Sequence, residues 1–245
     1  MKALILAAGY ATRLYPLTKE YPKSLLEINN RPIINYIIDK ITQIKDIDEI
    51  IVVTNSKFIG HFDSWHKNLR LDLKITLVDD LTKDNADRRG AIGDVYFAVE
   101  EKNIQDGLLV VGGDNLFDAG LADFIKFAKD KCCPAIGVYD IKDKLNASKY
   151  GIASIDAESR VVDFEEKPLE PKSTLAAMCL YYFPKNQLGL IKEYMQDATQ
   201  KHDATGFYID WLRKKTTVYG FVFSGNWYDI GDHKFYNKAK KFFAK

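Results

Sequence analysis

The chain has 245 residues, with Lys+Arg 35 against Asp+Glu 34, a net charge of +1, 47% hydrophobic and 28% charged residues. That balance excludes a general attraction to nucleic acid or anionic membranes, and the hydrophobic content excludes a disordered chain. A domain of this size buries roughly 70–75% of its unfolded surface and needs no disulfide or structural metal to hold a core.

Continuous β-branched runs predict strands at Lys2–Ala7, Glu49–Thr54, Leu73–Val78, Gly107–Val111 and Ala135–Tyr139. Such runs suit strands buried on both faces of a mostly parallel sheet. Between them, Ile33, Ile34, Ile37, Ile38, Ile41 and Ile44 recur at helical spacing behind Pro32, and Ile92–Val99 and Leu121–Phe127 repeat the pattern. After residue 145 the texture changes. Tyr150–Pro168 reads as a hairpin around the polar turn Asp156–Ser159. Strands Ala176–Phe183 and Thr217–Phe223, helices Lys185–Asp197 and Phe207–Lys214, and a basic helix Lys234–Ala244 complete the pattern. We expect one domain, 1–245, of α/β class. Its doubly wound, mostly parallel (Rossmann-like) sheet lies in 1–140, and 141–245 adds a strand-rich lobe and a closing helix.

Cys132 and Cys133 are adjacent and Cys179 has no CxxC partner, so neither a disulfide framework nor a zinc cluster is readable. The start, MKALILAAGYATRL, is apolar for too few residues to be a signal segment and then turns basic; no run of about 18 apolar residues follows. A cytoplasmic protein without membrane contact is expected.

Four segments carry chemistry. Leu6-Ala7-Ala8-Gly9-Tyr10-Ala11-Thr12-Arg13 follows the first strand. Small residues at a strand end let the backbone approach a phosphate, and Arg13 adds a forked permanent cation. Pro22-Lys23 brings a second cation. The plainer reading is a tight turn with two exposed cations. A dinucleotide fingerprint is disfavoured, because no third glycine opens a helix here. Gly112-Gly113-Asp114-Asn115 ends a predicted core strand, where ligands of open α/β sheets bind. Asp114 is placed to hold Mg²⁺ against phosphates, or simply to cap a turn. Glu165-Glu166-Lys167-Pro168 ends the hairpin, and taken alone reads as a solvated edge. Finally, Trp227-Tyr228-Asp229-Ile230-Gly231-Asp232 puts a carboxylate between large apolar residues; the turn and cap of the last helix is the alternative, and suits Asp232 better than Asp229.

Together, in this order, the four segments resemble the sugar-phosphate nucleotidyltransferases, especially glucose-1-phosphate thymidylyltransferases, from Met1 to about Tyr236. The family's Gly-x-Gly-Thr-Arg loop is matched by Gly9-Tyr10-Ala11-Thr12-Arg13, with Ala11 in place of the second glycine, and its Pro-Lys by Pro22-Lys23. The resemblance implies an enzyme that condenses an NTP with a sugar 1-phosphate to an NDP-sugar and pyrophosphate. Arg13 and Lys23 would be catalytic. Leu6, Ala8, Gly9, Tyr10, Ala11, Thr12, Asn85, Gly90 and Asp114 would bind the nucleotide. Gly151, Glu166 and Lys167 would bind the sugar phosphate, and Asp114 with Asp229 would hold Mg²⁺.

Three departures accompany it. The family's base-reading Gln, five residues before a glycine, has Asn85 before Gly90 as its nearest counterpart, and from it dTTP or UTP is the expected nucleotide, with glucose 1-phosphate the favoured acceptor. Cys179 replaces a glycine of the strand after Glu-Glu-Lys-Pro. Longer thymidylyltransferases continue past the second aspartate with helices for regulation and subunit contact, so feedback control and a tetramer stay outside the expectation, and a homodimer is kept as the oligomer to test. A cytidylyltransferase using a non-sugar phosphate and a non-catalytic sensing subunit of the same fold are the other readings. His61 and His66 read as helix-surface residues, and the aromatics do not interleave with Lys/Arg as a nucleic-acid platform would require. The lysines at 238, 240 and 241 read as the solvated face of the last helix.

Overall fold

The computed structural model describes residues 1–243. In chain order, β1 (Lys2–Leu6) is followed by two 3-10 turns, Thr12–Leu14 and Lys23–Leu25, the short pair β2 (Glu27–Ile28) and β3 (Arg31–Pro32), and α1 (Ile33–Ile41). Then come β4 (Glu49–Thr54), α2 (Ile59–Asn68), β5 (Lys74–Asp79), α3 (Ala91–Glu101), β6 (Leu108–Gly112), β7 (Asn115–Phe117), α4 (Ala122–Lys131) and β8 (Ala135–Asp140). The remainder is the single turn α5 (Lys144–Ala147), β9 (Gly151–Ile155), β10 (Val161–Glu166), β11 (Leu175–Phe183), α6 (Gly189–Gln196), α7 (Thr205–Lys215), β12 (Tyr219–Phe223), β13 (Trp227–Asp229) and α8 (His233–Phe243).

The main sheet runs β10-β9-β11-β6-β1-β4-β5, with β8 on the other flank of β11 and β12 beyond β8. Strands β6, β1, β4 and β5 are mutually parallel, and β11 runs against both β6 and β8. Only β10 shares the reversed direction of β11 among the strands of this sheet, so the sheet is mostly parallel, as expected. Because β11 inserts between β6 and β8, the two halves of the chain share one sheet.

Period-two alternation explains the two cores. Ala3 and Ile5 of β1, with Ile50 and Val52 of β4, face α1, α2 and α4; Leu4, Ile51 and Val53 face α3, α6 and α7. A smaller cluster of Leu14, Ile28, Leu116, Tyr228, Ile230 and Tyr236 pins the first 3-10 turn, β7, β13 and α8 together. That cluster fixes two distant chemical segments against each other.

Most element expectations hold within a residue or two. α1 ends at Ile41 rather than Ile44, whose N–H bonds the Ile41 carbonyl in a turn, and Pro32 ends β3 instead of opening the helix. The helix expected over Lys185–Asp197 is a 3-10 turn, Lys185–Gln187, followed by α6. In the expected Lys234–Ala244 helix, Ala244 lies outside the described residues. Strands β7 and β13 were not expected; three residues each are too few to show a period.

Candidate active site

The loop after β1 leaves the carboxyl edge of the sheet tied down by its neighbours. Ala7 N–H donates to Val53 O at 2.8 Å, and Asn55 Nδ2 donates to Ala8 O at 2.8 Å. A Cβ added at Gly9 would meet open space, so the backbone there is free for close approach by a ligand. Ala11, at the position of the family's second glycine, holds φ 48° and ψ 44°, the left-handed conformation that glycine adopts without strain. Tyr10 differs from its expected role: its ring is buried in the core and its hydroxyl pairs with Thr82 Oγ1 at 3.1 Å, so only its backbone faces the loop.

The 3-10 turn Lys23–Leu25 carries Lys23 onto Asp114, and the two form an ion pair. Gly113 makes this approach possible, because a Cβ there would lie 2.6 Å from Ser24 Oγ and 2.7 Å from Leu6 O. Asp229 arrives from the far end of the chain. The antiparallel β7–β13 pair sets Asn115 opposite Asp229, which puts Asp229 beside Asp114. Asn115 locks the arrangement: its Nδ2 donates to Met178 O, and its Oδ1 accepts from Trp227 Nε1 at 2.8 Å.

Electrostatics at this junction are divided. Burial opposes ionisation of Asp114, yet Lys23 holds its carboxyl below the usual carboxylate range. Burial, reinforced by Asp114, pushes Asp229 up to about 7 against the pull of Lys23 and Arg13. Burial also opposes the charge on Lys23, but Asp114 and Asp229 outweigh it and raise its pKa. Two carboxylates sharing one close ammonium suit a hard divalent cation that takes one or two carboxylates and fills its other positions from phosphates and water. Among the described residues no group of three or more His, Cys, Asp or Glu side chains forms a complete metal cage.

Two cavities meet at Asp114 and Cys179. One, of 270 Å³, is lined by Leu6, Ala8, Gly9, Gly90 and Asp114 from the expected nucleotide set, together with Lys23, expected to be catalytic. The other, of 240 Å³, is lined by Arg13, Gly151, Glu166, Lys167 and Asp229. Arg13 therefore stands on the opposite side of the junction from Lys23. Asn85 lines neither cavity: it sits exposed in the loop after β5, with its carbonyl accepting from Arg88 at 2.8 Å. The backbone of Thr12 and Ala11 shapes the 3-10 turn that presents Arg13.

In the second cavity β9 and β10 set Gly151 opposite Glu166. Burial raises the Glu166 pKa, with Lys167 pulling the other way, and Lys167 Nζ lies 3.6 Å from Glu166 Oε1. Lys167 has φ 49° and donates its N–H to Tyr150 O at 3.0 Å, which turns its side chain out of the strand.

Several residues of the cleft escaped the sequence reading. Gly206 gives Glu166 its room, since a Cβ there would overlap Glu166 Oε2. Tyr150, pushed up to about 12 by burial and by Asp229 and Asp232, stays a neutral phenol on the wall. Asp80 and Asp94 close the end of the first cavity. Lone Asp and Tyr residues give no spacing signal, so only a departure such as Cys179 was findable. Cys179 indeed holds φ 50° in the irregular stretch of β11, a glycine-like conformation.

A family model described as nucleotidyl transferase matches residues 2–245. The bifunctional protein GlmU of Methanocaldococcus jannaschii is 28% identical over 231 residues, 94% of this chain, and the chain spans 51%, about half, of that relative's length. The UTP–glucose-1-phosphate uridylyltransferase AglF of Haloferax volcanii is 28% identical over 75% of this chain and 72% of its own. A UDP-glucose pyrophosphorylase solved with UDP-glucose shares the fold at TM-score 0.85 and 19% identity, covering 99% of this chain and 98% of the other. With the match running through both cavities and the junction between them, the chain belongs to the nucleotidyl transferase family.

Proposed function

We propose that the chain transfers a nucleotidyl group from an NTP to a sugar 1-phosphate, releasing pyrophosphate and an NDP-sugar. The observation that supports it is the junction itself: a cavity with a small-residue phosphate loop and Lys23 meets a cavity with Glu166 and Lys167 at the Asp114–Asp229 pair. Both substrates are polyanions, so the task is positioning and charge neutralisation, with no covalent protein nucleophile required. The backbone around Gly9 would cradle the triphosphate, and Lys23 would leave Asp114 to neutralise charge that builds on the α-phosphate and the leaving pyrophosphate. Arg13 stands across the junction, where the attacking phosphate oxygen would approach. Lys167 would hold that phosphate, while Glu166 and the Gly151 backbone would take sugar hydroxyls. Asp114 and Asp229 would hold Mg²⁺, which would supply neutralisation of phosphate charge when bound.

Glucose 1-phosphate is the first acceptor to test, given the name of the Haloferax relative. The pyrimidine expectation rested on Asn85, which is exposed and does not line the cavity. A matrix of NTPs against sugar 1-phosphates, read by pyrophosphate release with Mg²⁺, tests the reading. Release from at least one pair, abolished by chelator, is expected; no release from any pair refutes transfer, and full activity in excess chelator refutes the metal assignment.

A further inference from the structure

The two cavities are joined a second time, by a run of chain as well as by the junction at Asp114. Asp203 lines the 270 Å³ cavity, and the next two residues, Ala204 and Thr205, line the other. Gly206 follows, and its lack of a side chain leaves the Glu166 carboxyl its place. Thr205 anchors this bridge in the second cavity, where its Oγ1 pairs with Tyr181 Oη at 2.8 Å and both residues are buried.

At its other end the bridge rests on the loop after β5. Arg88 Nη2 donates to Asp203 Oδ1 at 3.0 Å, and Arg88 Nη1 donates to Asn85 O at 2.8 Å. Gly90, with φ +76°, admits the backbone of the bridge: a Cβ there would overlap His202 O and lie 2.9 Å from Asp203 Cα. Arg88, Gly90 and Asp203 line the first cavity and not the second. Asp203 nonetheless acts on Glu166, whose pKa is raised by burial, held back by Lys167 and raised further by the Asp203 charge. The Arg88 and Asp203 side chains are 45% and 66% exposed. An ion pair so wetted contributes little, and excluding water from one side strengthens it, because Coulomb energy varies inversely with the dielectric. A nucleotide seated in the cavity they line would exclude that water.

Building on the nucleotidyl-transfer reading, we infer that Arg88 and Asp203 are positioning residues for the acceptor. The nucleotide tightens their pair, the pair holds residues 203–206 in place, and Gly206 keeps the Glu166 carboxyl where the sugar binds. Neither residue touches the sugar phosphate. Through the pair the two substrates raise each other's affinity, by the same factor in both directions as linkage requires. Contact between the substrates at the Asp114 junction couples them as well, so the pair is identified by the part of the coupling that its removal takes away. Phosphates that drew Arg88 off Asp203 would give the opposite sign.

The test titrates glucose 1-phosphate into the full chain by calorimetry, alone and with a saturating α,β-methylene analogue of the NTP that gives most pyrophosphate, which cannot be cleaved. The coupling factor is the ratio of the two dissociation constants. Asp203→Asn and Arg88→Gln remove the ion pair at nearly constant shape and should each lower that factor at least about threefold. The affinity for glucose 1-phosphate alone should change less than about twofold, with urea midpoints near the parent's, since the pair is exposed until nucleotide binds. The reversed pair, Arg88→Asp with Asp203→Arg, should recover most of the lost factor, and no recovery refutes the pairing. A factor unchanged or raised in both folded variants overturns the inference, including the case of equal losses with and without nucleotide, which marks a structural role alone. If no pair of substrates releases pyrophosphate, the transfer reading fails by itself. The titrations are then made with ATP, GTP, CTP, UTP and dTTP: a coupling factor lost in both variants upholds the bridge, and no coupling with any nucleotide ends it.

Discussion

A methyl group added at Gly206 would overlap Glu166 Oε2 and lie 2.9 Å from both Glu166 Cδ and Phe164 Cε1. Carbon contacts are comfortable at about 3.5–4.0 Å, so the carboxyl must move by more than about 1 Å or the start of α7 must shift. Phe164 is buried on one side, so the carboxyl can retreat only by swinging into the 240 Å³ cavity it lines, away from its present place opposite Gly151. Overpacking of this kind costs about 1–3 kcal/mol, and a misplacement near 1 Å in a positioning group can cost about 10² in rate. Gly206→Ala is therefore expected to lower stability by about 1–3 kcal/mol. It should also lower kcat/KM for the sugar 1-phosphate by at least about tenfold, with NTP affinity measured alone nearly unchanged. Urea unfolding, steady-state kinetics and NTP calorimetry on one preparation check all three. Glu166→Asp draws the carboxyl back by one methylene, so Gly206→Ala should cost less stability in that background. Strict additivity of the two substitutions, or unchanged sugar-phosphate kinetics in Gly206→Ala, would refute the reasoning.

Lys23→Ala should lower kcat by on the order of 10²-fold or more in a folded protein, and near-normal turnover would remove Lys23 from the transition state. Asp229 binds its proton more tightly folded, at about 7, than in the unfolded chain at about 3.9, so its contribution to metal-free stability is full below pH 4 and is lost as pH rises toward 7. In chelator, Asp229→Asn should thus gain on the parent between pH 4.5 and pH 8 by urea midpoint; an equal gap at both pH values would sink the assignment. Ala11→Gly, at φ 48°, should stabilise by about 0.5–1 kcal/mol at unchanged m-value, and a lower midpoint would show that the left-handed loop carries no strain.

The parallel half of the sheet was legible because β1, β4 and β6 are buried on both faces and read as unbroken apolar runs. The hairpin β9–β10 was legible for the opposite reason, a polar turn between two alternating strands. The place of β11 was not. Its direction and its seat between β6 and β8 depend on pairing between distant segments, which no local pattern encodes. Strands β7 and β13 were hidden for the same reason, though they are what bring Asp114 and Asp229 together.

The candidate site divides along the same line. Gly9, Lys23, Asp114, Glu166 and Lys167 lie at or just beyond the ends of regular elements, and motif spacing alone led to residues that line the two cavities. Asn85 stands five residues before Gly90, and such a fixed offset fails where a loop's length is its own. Eleven positions, Asp80 to Gly90, separate the end of β5 from the turn into α3, and the loop doubles back on Asp84 and Asp87, whose carboxylates bond its own backbone. The residue held against the cavity is then the one anchored by the strand rather than the one at a fixed offset from the glycine. Asp80 keeps its backbone N–H on Thr54 O at 2.8 Å, so the sheet itself fixes its position. On the proposed reading, phosphate chemistry rests on strand ends shared with the fold, which a loop of variable length leaves undisturbed. That separation is why residues at strand ends were legible by motif spacing and residues placed by the loop after β5 were not.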